Sequence, residues 1–254
     1  MKSESRKISS DGPSSLNQPR SRSALKPKRD SARAGIVLYT ILAGAAAIVI
    51  AMLYAAAPLR ADTSPPGADP MATVKSVMDQ TIAVFKDRQV SAADRQRQLR
   101  TIAEAHFDFD GMARSAVGYH WRTLTDDQRK EFVPLFTNFL EDVALSQIEK
   151  YSIQKVQQDI QTSVIVFDRE QVDGDEAEVF STVARQGQDQ PFKVNYPMKR
   201  VDGEWRIYDI NVDAISVIAN YRNQFNRVLN QQGYDKLITL IKQKSQQLGS
   251  TLAS

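Results

Sequence analysis

The residues able to do acid–base or nucleophilic chemistry are few, and their spacing assembles none of the familiar reaction centres. There are two histidines, His106 and His120, and no cysteine. Neither histidine lies in an HExxH-type spacing, which would place two imidazoles on one helix face around a metal. Without cysteine there are neither disulfides nor thiolate metal sites. The chain also lacks a GxSxG nucleophile elbow, a phosphate-cradling P-loop and a GxGxxG turn. His120, beside Trp121 and Arg122, could serve as a general base, and a packed or surface histidine fits the same residues. Asp209 and Asp213 flank a strand end and could form a carboxylate pair, but turn and cap hydrogen bonds would account for them more simply. Nothing combines a nucleophile, a base and an oxyanion stabiliser. The pattern points to a binding or structural protein, not an enzyme.

The elements that would carry such a function begin with a membrane signal. Ile36 to Ala57 is an apolar run within a charge-free stretch from Ala34 to Leu59, long enough for the roughly 20 residues that span a bilayer as a helix. Nine basic residues precede it against three acidic ones, and only Arg60 separates it from Lys75. The positive-inside bias therefore keeps the N-terminus cytosolic and exports the rest. Residues 1–34 read as a basic disordered cytoplasmic tail, 35–59 as a transmembrane anchor or long signal segment, 60–70 as a linker and 71–254 as one folded domain. A signal peptide has an apolar stretch of only about 7–15 residues, and Pro58 directly follows Ala55-Ala56-Ala57, so the reading favours an uncleaved anchor. The chain's net charge of +3 and pI near 9.0 reside in the tail. They are no argument for nucleic-acid binding by the domain.

Within the domain, Val74, Val77, Met78, Ile82 and Phe85 recur at helical spacing. Ser91 to Asp94 can cap a second helix with Leu99, Ile102 and Ala103 on one face, and Gly111 to Val117 reads as a short third helix ended by Gly118. Thr125 and Gln128 make a capping box for a long amphipathic helix, which Pro134 should kink or split. Four strands follow, at 161–168, 177–185, 192–200 and 204–210, punctuated by Asp173-Gly174-Asp175, Gly187 and Asp202-Gly203. Two helices close the chain, the first capped by Ser216 and separated from the second by Gly233. The expected architecture is α+β: an antiparallel sheet of about four strands packed against N- and C-terminal helices, NTF2-like in outline.

Three stretches are more specific than any of these features. They are FDGMARSAVGYHWR from Phe109 to Arg122, WRIYDINVDAIS from Trp205 to Ser216, and NYRNQF from Asn220 to Phe225. In order and spacing they resemble the MlaC/toluene-tolerance family of bacterial periplasmic phospholipid-binding proteins, over roughly Met71 to Leu248. Ala214 stands where the family leads one to expect glycine, which puts the local turn geometry in question. The resemblance implies a lipid carrier for ABC-type transport between inner and outer membranes, with no cofactor. The partners it implies are a phospholipid or related ligand, an MCE-domain protein of the inner-membrane transporter and an outer-membrane lipoprotein complex. A related branch is associated with hopanoid synthesis, so the lipid class stays open.

The alternation of Phe192, Val194, Tyr196 and Met198 puts them on one strand face, with Val179 and Val183 extending it, and Val164 with Val166 beyond. Such a face fits a solid core as well as a chamber; the family resemblance favours a chamber. The set expected to hold acyl chains is Phe136, Phe139, Val164, Val179, Val194, Tyr196, Ile207, Ile210, Val217 and Tyr221. A scaffolding domain with a filled core is the competing possibility.

Overall fold

The computed structural model describes residues 69–150, 153–185 and 190–252. The stretches expected to be tail and membrane segment, and nearly all of the expected linker, lie outside these residues. Among the described residues no helix is long and apolar enough to cross a membrane.

The N-terminal helices form where their caps dictate. Asp69 accepts a hydrogen bond from the Ala72 amide at 2.9 Å, and Pro70 occupies the first turn of α1, Pro70–Lys86; proline fits there because its missing N–H would lack an intrahelical partner anyway. Ser91 caps α2, Ala92–His106. Asp108 caps α3, Phe109–Val117, through the Gly111 amide at 2.9 Å. A Cβ on Gly111 would sit 2.1 Å from that carboxylate, so only glycine leaves room for the cap. A 3-10 turn, Gly118–Thr123, follows. The capping box is realised at α4, Asp126–Lys150: Thr125 Oγ1 accepts from the Gln128 amide, and Gln128 Oε1 accepts from the Thr125 amide.

One expectation about this half is narrowed and one corrected. Pro134, expected to kink or split the long helix, does not split α4, which runs unbroken through it. A helix α5, Ile153–Thr162, stands where the first strand was expected to begin. Its buried Val156 and Ile160 are four residues apart, one helical turn, but the many glutamines around them hide that spacing.

The sheet is antiparallel: β1 (Ser163–Asp173), β2 (Glu176–Arg185) and β3 (Phe192–Val201) form a meander. The fourth strand is broken in two. β4 (Glu204–Ile207) and β5 (Asn211–Val212) both pair with the same edge of β3. Between them Asp209 turns aside to cap the next helix. β5 returns as β6, Ile215–Ser216. Ser216 Oγ then accepts from the Ala219 amide at 2.8 Å to start α6, Val217–Gln232, and Gly233 separates it from α7, Tyr234–Leu252.

The β5–β6 connection has two residues, Asp213 with φ 47° and Ala214 with φ 65°. Two positive φ values define a type I′ turn, and Ala214 adopts the left-handed conformation that glycine would take freely. That conformation costs alanine about 1–2 kcal/mol, and glycine gives back roughly 0.4–1 kcal/mol through its freer unfolded chain. Ala214→Gly should therefore stabilise the fold by about 0.5 kcal/mol, measured as a higher denaturant midpoint at unchanged slope. A lower midpoint would show that the turn is not strained.

Candidate functional site

Nine of the ten residues expected to face a ligand are buried: Phe136, Phe139, Val179, Val194, Tyr196, Ile207, Ile210, Val217 and Tyr221. They belong to one core cluster, and several pack directly against one another. Phe136 and Phe139 of α4 meet Tyr221 of α6 edge-on, ring centroids 5.8 and 5.7 Å apart, and Phe136 meets Phe225 at 5.7 Å. Edge-to-face rings at such distances attract one another. The sheet face beneath is equally closed, with Val179, Val183, Val194 and Met198 fully shielded. The tyrosine hydroxyl of Tyr221 has no hydrogen-bond partner among the described residues, and burial pushes its pKa up.

Val164 is the exception and a correction: it is 49 % exposed, and Val166 is also exposed. Ile165 pairs directly with Val183, so the inward face of β1 carries Ile165 and Phe167. Strand parity is binary. In the run Val164-Ile165-Val166-Phe167 both faces are apolar, so alternation could not choose between them.

An apolar opening lies among the helices. A slot with about 70 Å3 of room within its walls, or about 710 Å3 counted out through the open space at its mouth, runs between α1, α2, α3 and α4. Thr81 and Phe85 of α1, Leu99, Ile102 and Ala103 of α2, Phe107, Phe109 and Met112 around the start of α3, and Leu140, Ala144, Leu145 and Ile148 of α4 form its walls. Phe85, Phe107 and Met112 belong to the core, so the floor of the slot is continuous with the interior. Its α2 wall is lightly held, since no residue of α2 is fully buried. None of the ten expected residues lines it. The signal was present in the sequence as the apolar faces of α2 and α4, but those faces read as ordinary packing stripes.

The slot's charged residues are Arg100 and Glu141, which join α2 to α4. Arg100 also pairs with Asp142 at 2.8 Å. Glu141 is 7 % exposed, and burial raises its pKa although Arg100 opposes the rise. One Glu141 oxygen, Oε2, is taken by Arg100; the other, Oε1, has no partner among the described residues.

The acid–base candidates are engaged in structural contacts. Asp209 accepts from the Ile210 and Ile218 amides at 2.8 and 3.0 Å and from the Ser216 hydroxyl; burial still holds its pKa above the ordinary carboxylate value. Asp213 accepts from the Lys193 amide at 2.9 Å. These are the turn and cap bonds that the simpler reading expects. His120 stacks on Tyr119 with ring centroids 4.0 Å apart. No cluster of potential metal ligands occurs among the described residues.

The three distinctive sequence stretches converge in space. Asp108 N donates to Ile207 O at 2.9 Å, Val217 N to Ile210 O at 3.0 Å, and Arg222 Nε to Ser115 O at 2.6 Å. They lock α3, the β4–β5 break and α6 together, while only Phe109 and Met112 among them reach the slot.

Fold and slot define an α+β domain with an apolar, open-mouthed slot among its helices. The family model for the MlaC protein matches residues 75–243, and the chain belongs to the MlaC family. It is 21% identical over 184 residues to the intermembrane phospholipid transport system binding protein MlaC of Haemophilus influenzae, covering 70% of this chain and 83% of that protein. Its fold is that of the phospholipid-binding protein from Ralstonia solanacearum solved in complex with a phospholipid. The TM-score is 0.58 and the identity 23%, over 72% of this chain and 99% of that one.

Proposed function

We propose that this protein is a periplasmic phospholipid carrier whose acyl chains enter the slot between α1, α2, α3 and α4. The observation that carries this reading is the slot itself, because its walls are apolar and its mouth is open. The slot as it stands holds only about 70 Å3 within its walls, so acyl chains must widen it. The Haemophilus relative named for phospholipid transport and the lipid-bound Ralstonia structure support the same ligand class. Widening costs little on the α2 side, where Leu99, Ile102 and Ala103 are only partly buried.

Energetics fix how such a carrier works. Each methylene removed from water contributes about 0.8 kcal/mol, so two ordinary tails approach the ceiling of non-covalent affinity, about 20 kcal/mol. Lipid held that tightly does not escape into water. It exchanges only in contact with a partner that keeps the tails dry, and no catalytic residue is required. The MCE-domain component of an inner-membrane ABC transporter and an outer-membrane lipoprotein complex are the partners this scheme calls for. The apolar run 36–57 keeps the carrier beside the inner membrane. A mature N-terminus at Asp62, found by N-terminal sequencing, would remove the tether and leave a free shuttle.

The test of the carrier reading is mass spectrometry of organic extracts of the purified protein. Phospholipid approaching one molecule per chain is expected. A protein that extracts without lipid, and takes none from vesicles, would favour a scaffold with a filled core.

A further inference from the structure

Acyl chains fit the slot only after one of its walls moves, and burial says which wall that is. The walls enclose about 70 Å3. Three of the four helices are rooted in the core: α1 by Met78 and Phe85, α3 by Ala113 and Val117, α4 by Phe136 and Phe139. No residue of α2 is fully buried. It meets the slot through Leu99, Ile102 and Ala103, which are partly buried. Lifting a partly covered apolar face exposes less surface than withdrawing a core ring, and leaves no sealed cavity behind. On its other flank α2 borders a second groove, against α1, walled by Gln80, Val84, Gln98 and Thr101. The helix therefore stands between two openings.

The ends of α2 are held unequally. At the C-terminal end the chain runs into buried Phe107, which bridges Ile207 of β4, and the Asp108 amide donates to Ile207 O at 2.9 Å. Arg206 Nη1 donates to Glu104 O at 3.2 Å, and His106 Nε2 meets Gln80 Nε2 of α1 at 3.2 Å. The N-terminal end follows a connection in which Asp87, Arg88 and Gln89 are exposed, and Ser91, Ala92 and Ala93 are exposed as well. Between the ends, Arg100 crosses to α4, where Nη1 pairs with Glu141 and Nη2 donates to Asp142 Oδ1 at 2.8 Å.

Resting on the slot as the acyl site, we propose that α2 is its lid: the helix swings about its C-terminal end at Phe107, and Arg100 latches it shut on Glu141 and Asp142 of α4. A guanidinium shared by two carboxylates is a strong, directional link, placed midway along a helix that little else ties to α4. Breaking it frees the Leu99–Ala103 face to move outward while the bonds at Phe107, Asp108 and Glu104 keep the helix attached. The latch thus sets how fast lipid enters, and the walls behind it set how tightly lipid is held.

The chain has no cysteine, so a single thiol pair can be installed cleanly. Arg100→Cys with Glu141→Cys removes the latch and leaves no buried carboxylate facing a missing partner. A short bifunctional maleimide then ties α2 back to α4 in the same protein. The experiment follows uptake of a fluorescent-tailed phospholipid by the delipidated full chain from vesicles of phosphatidylethanolamine and phosphatidylglycerol. Uptake by the unlinked pair should be roughly tenfold faster than wild type, the scale of one hydrogen bond to a charged group. The linked protein should take up lipid at least tenfold more slowly than the unlinked one. Wild-type speed in the unlinked pair overturns the latch, and equal speed with and without the link overturns the lid; in both cases lipid still binds and the carrier reading stands. If the paired variant does not fold, amide hydrogen exchange of the wild-type chain decides, since a lid requires Leu99–Ala103 to exchange faster than Thr81–Phe85 and Leu140–Leu145. Equal protection of the three segments removes the lid. Failure of every form, wild type included, to take up lipid would overturn the carrier reading and the lid together.

Discussion

Replacing Ala144 with tryptophan is expected to empty the protein of lipid while leaving it folded. Ala144 is a half-buried residue on the α4 wall of the slot. An indole at that position must fill the slot and push on its lightly held α2 wall, so the overpacking cost stays within the usual range of about 1–3 kcal/mol. It occupies the volume that acyl chains need. Lipid recovered per protein should fall by roughly tenfold or more, because losing only two methylenes' worth of contact already costs about 1.6 kcal/mol. The thermal midpoint of delipidated protein should fall by only a few degrees. Undiminished lipid in Ala144→Trp would mean that the tails lie elsewhere.

Phe136→Ala is expected to do the opposite. Phe136 is fully buried and packs against Phe132, Phe139, Tyr221 and Phe225, joining α4 to α6. Truncating such a ring costs about 3–5 kcal/mol through lost burial and the cavity left behind. That is a large share of the roughly 5–15 kcal/mol that holds a domain together. The thermal midpoint should drop by roughly 10 °C for a domain of this size. Lipid bound per folded molecule should hardly change, since Phe136 does not line the slot. Loss of lipid from a still-folded Phe136→Ala protein would return the sheet–helix core to the role of chamber. Together the two variants separate the packing that makes the fold from the surface that meets the ligand.

That separation is also where sequence reading succeeds and fails. Local chemistry was legible: the Thr125–Gln128 capping box, the Ser216 cap and the Asp202-Gly203 turn all stand where residue types put them. Each depends on neighbours in sequence, and so carries its own signal. The α+β order was legible for the same reason, with the family stretches marking the junction of α3, β4 and α6. The parity of β1 was not, because two apolar faces compete in Val164 to Phe167. Nor was α5, whose Val156 and Ile160 sit among glutamines. The slot was least legible of all. Hydrophobic periodicity says which residues leave water, not whether they meet protein or an open gap. Leu99, Ile102 and Ala103 read as a packing face, and the structure leaves that face half covered. Alternation on β3 marked Val194 and Tyr196 correctly as inward.

The most direct measurement of where lipid sits uses a phospholipid with a photoreactive group on its acyl chain. The full-length protein would be loaded from vesicles, irradiated, digested and mapped by mass spectrometry. Crosslinks on the slot walls, at Leu99, Ile102, Ala144 and Ile148, are the expected result. Crosslinks confined to the sheet face, at Val179, Val194 and Tyr196, with none on α2, would contradict the slot as the acyl site.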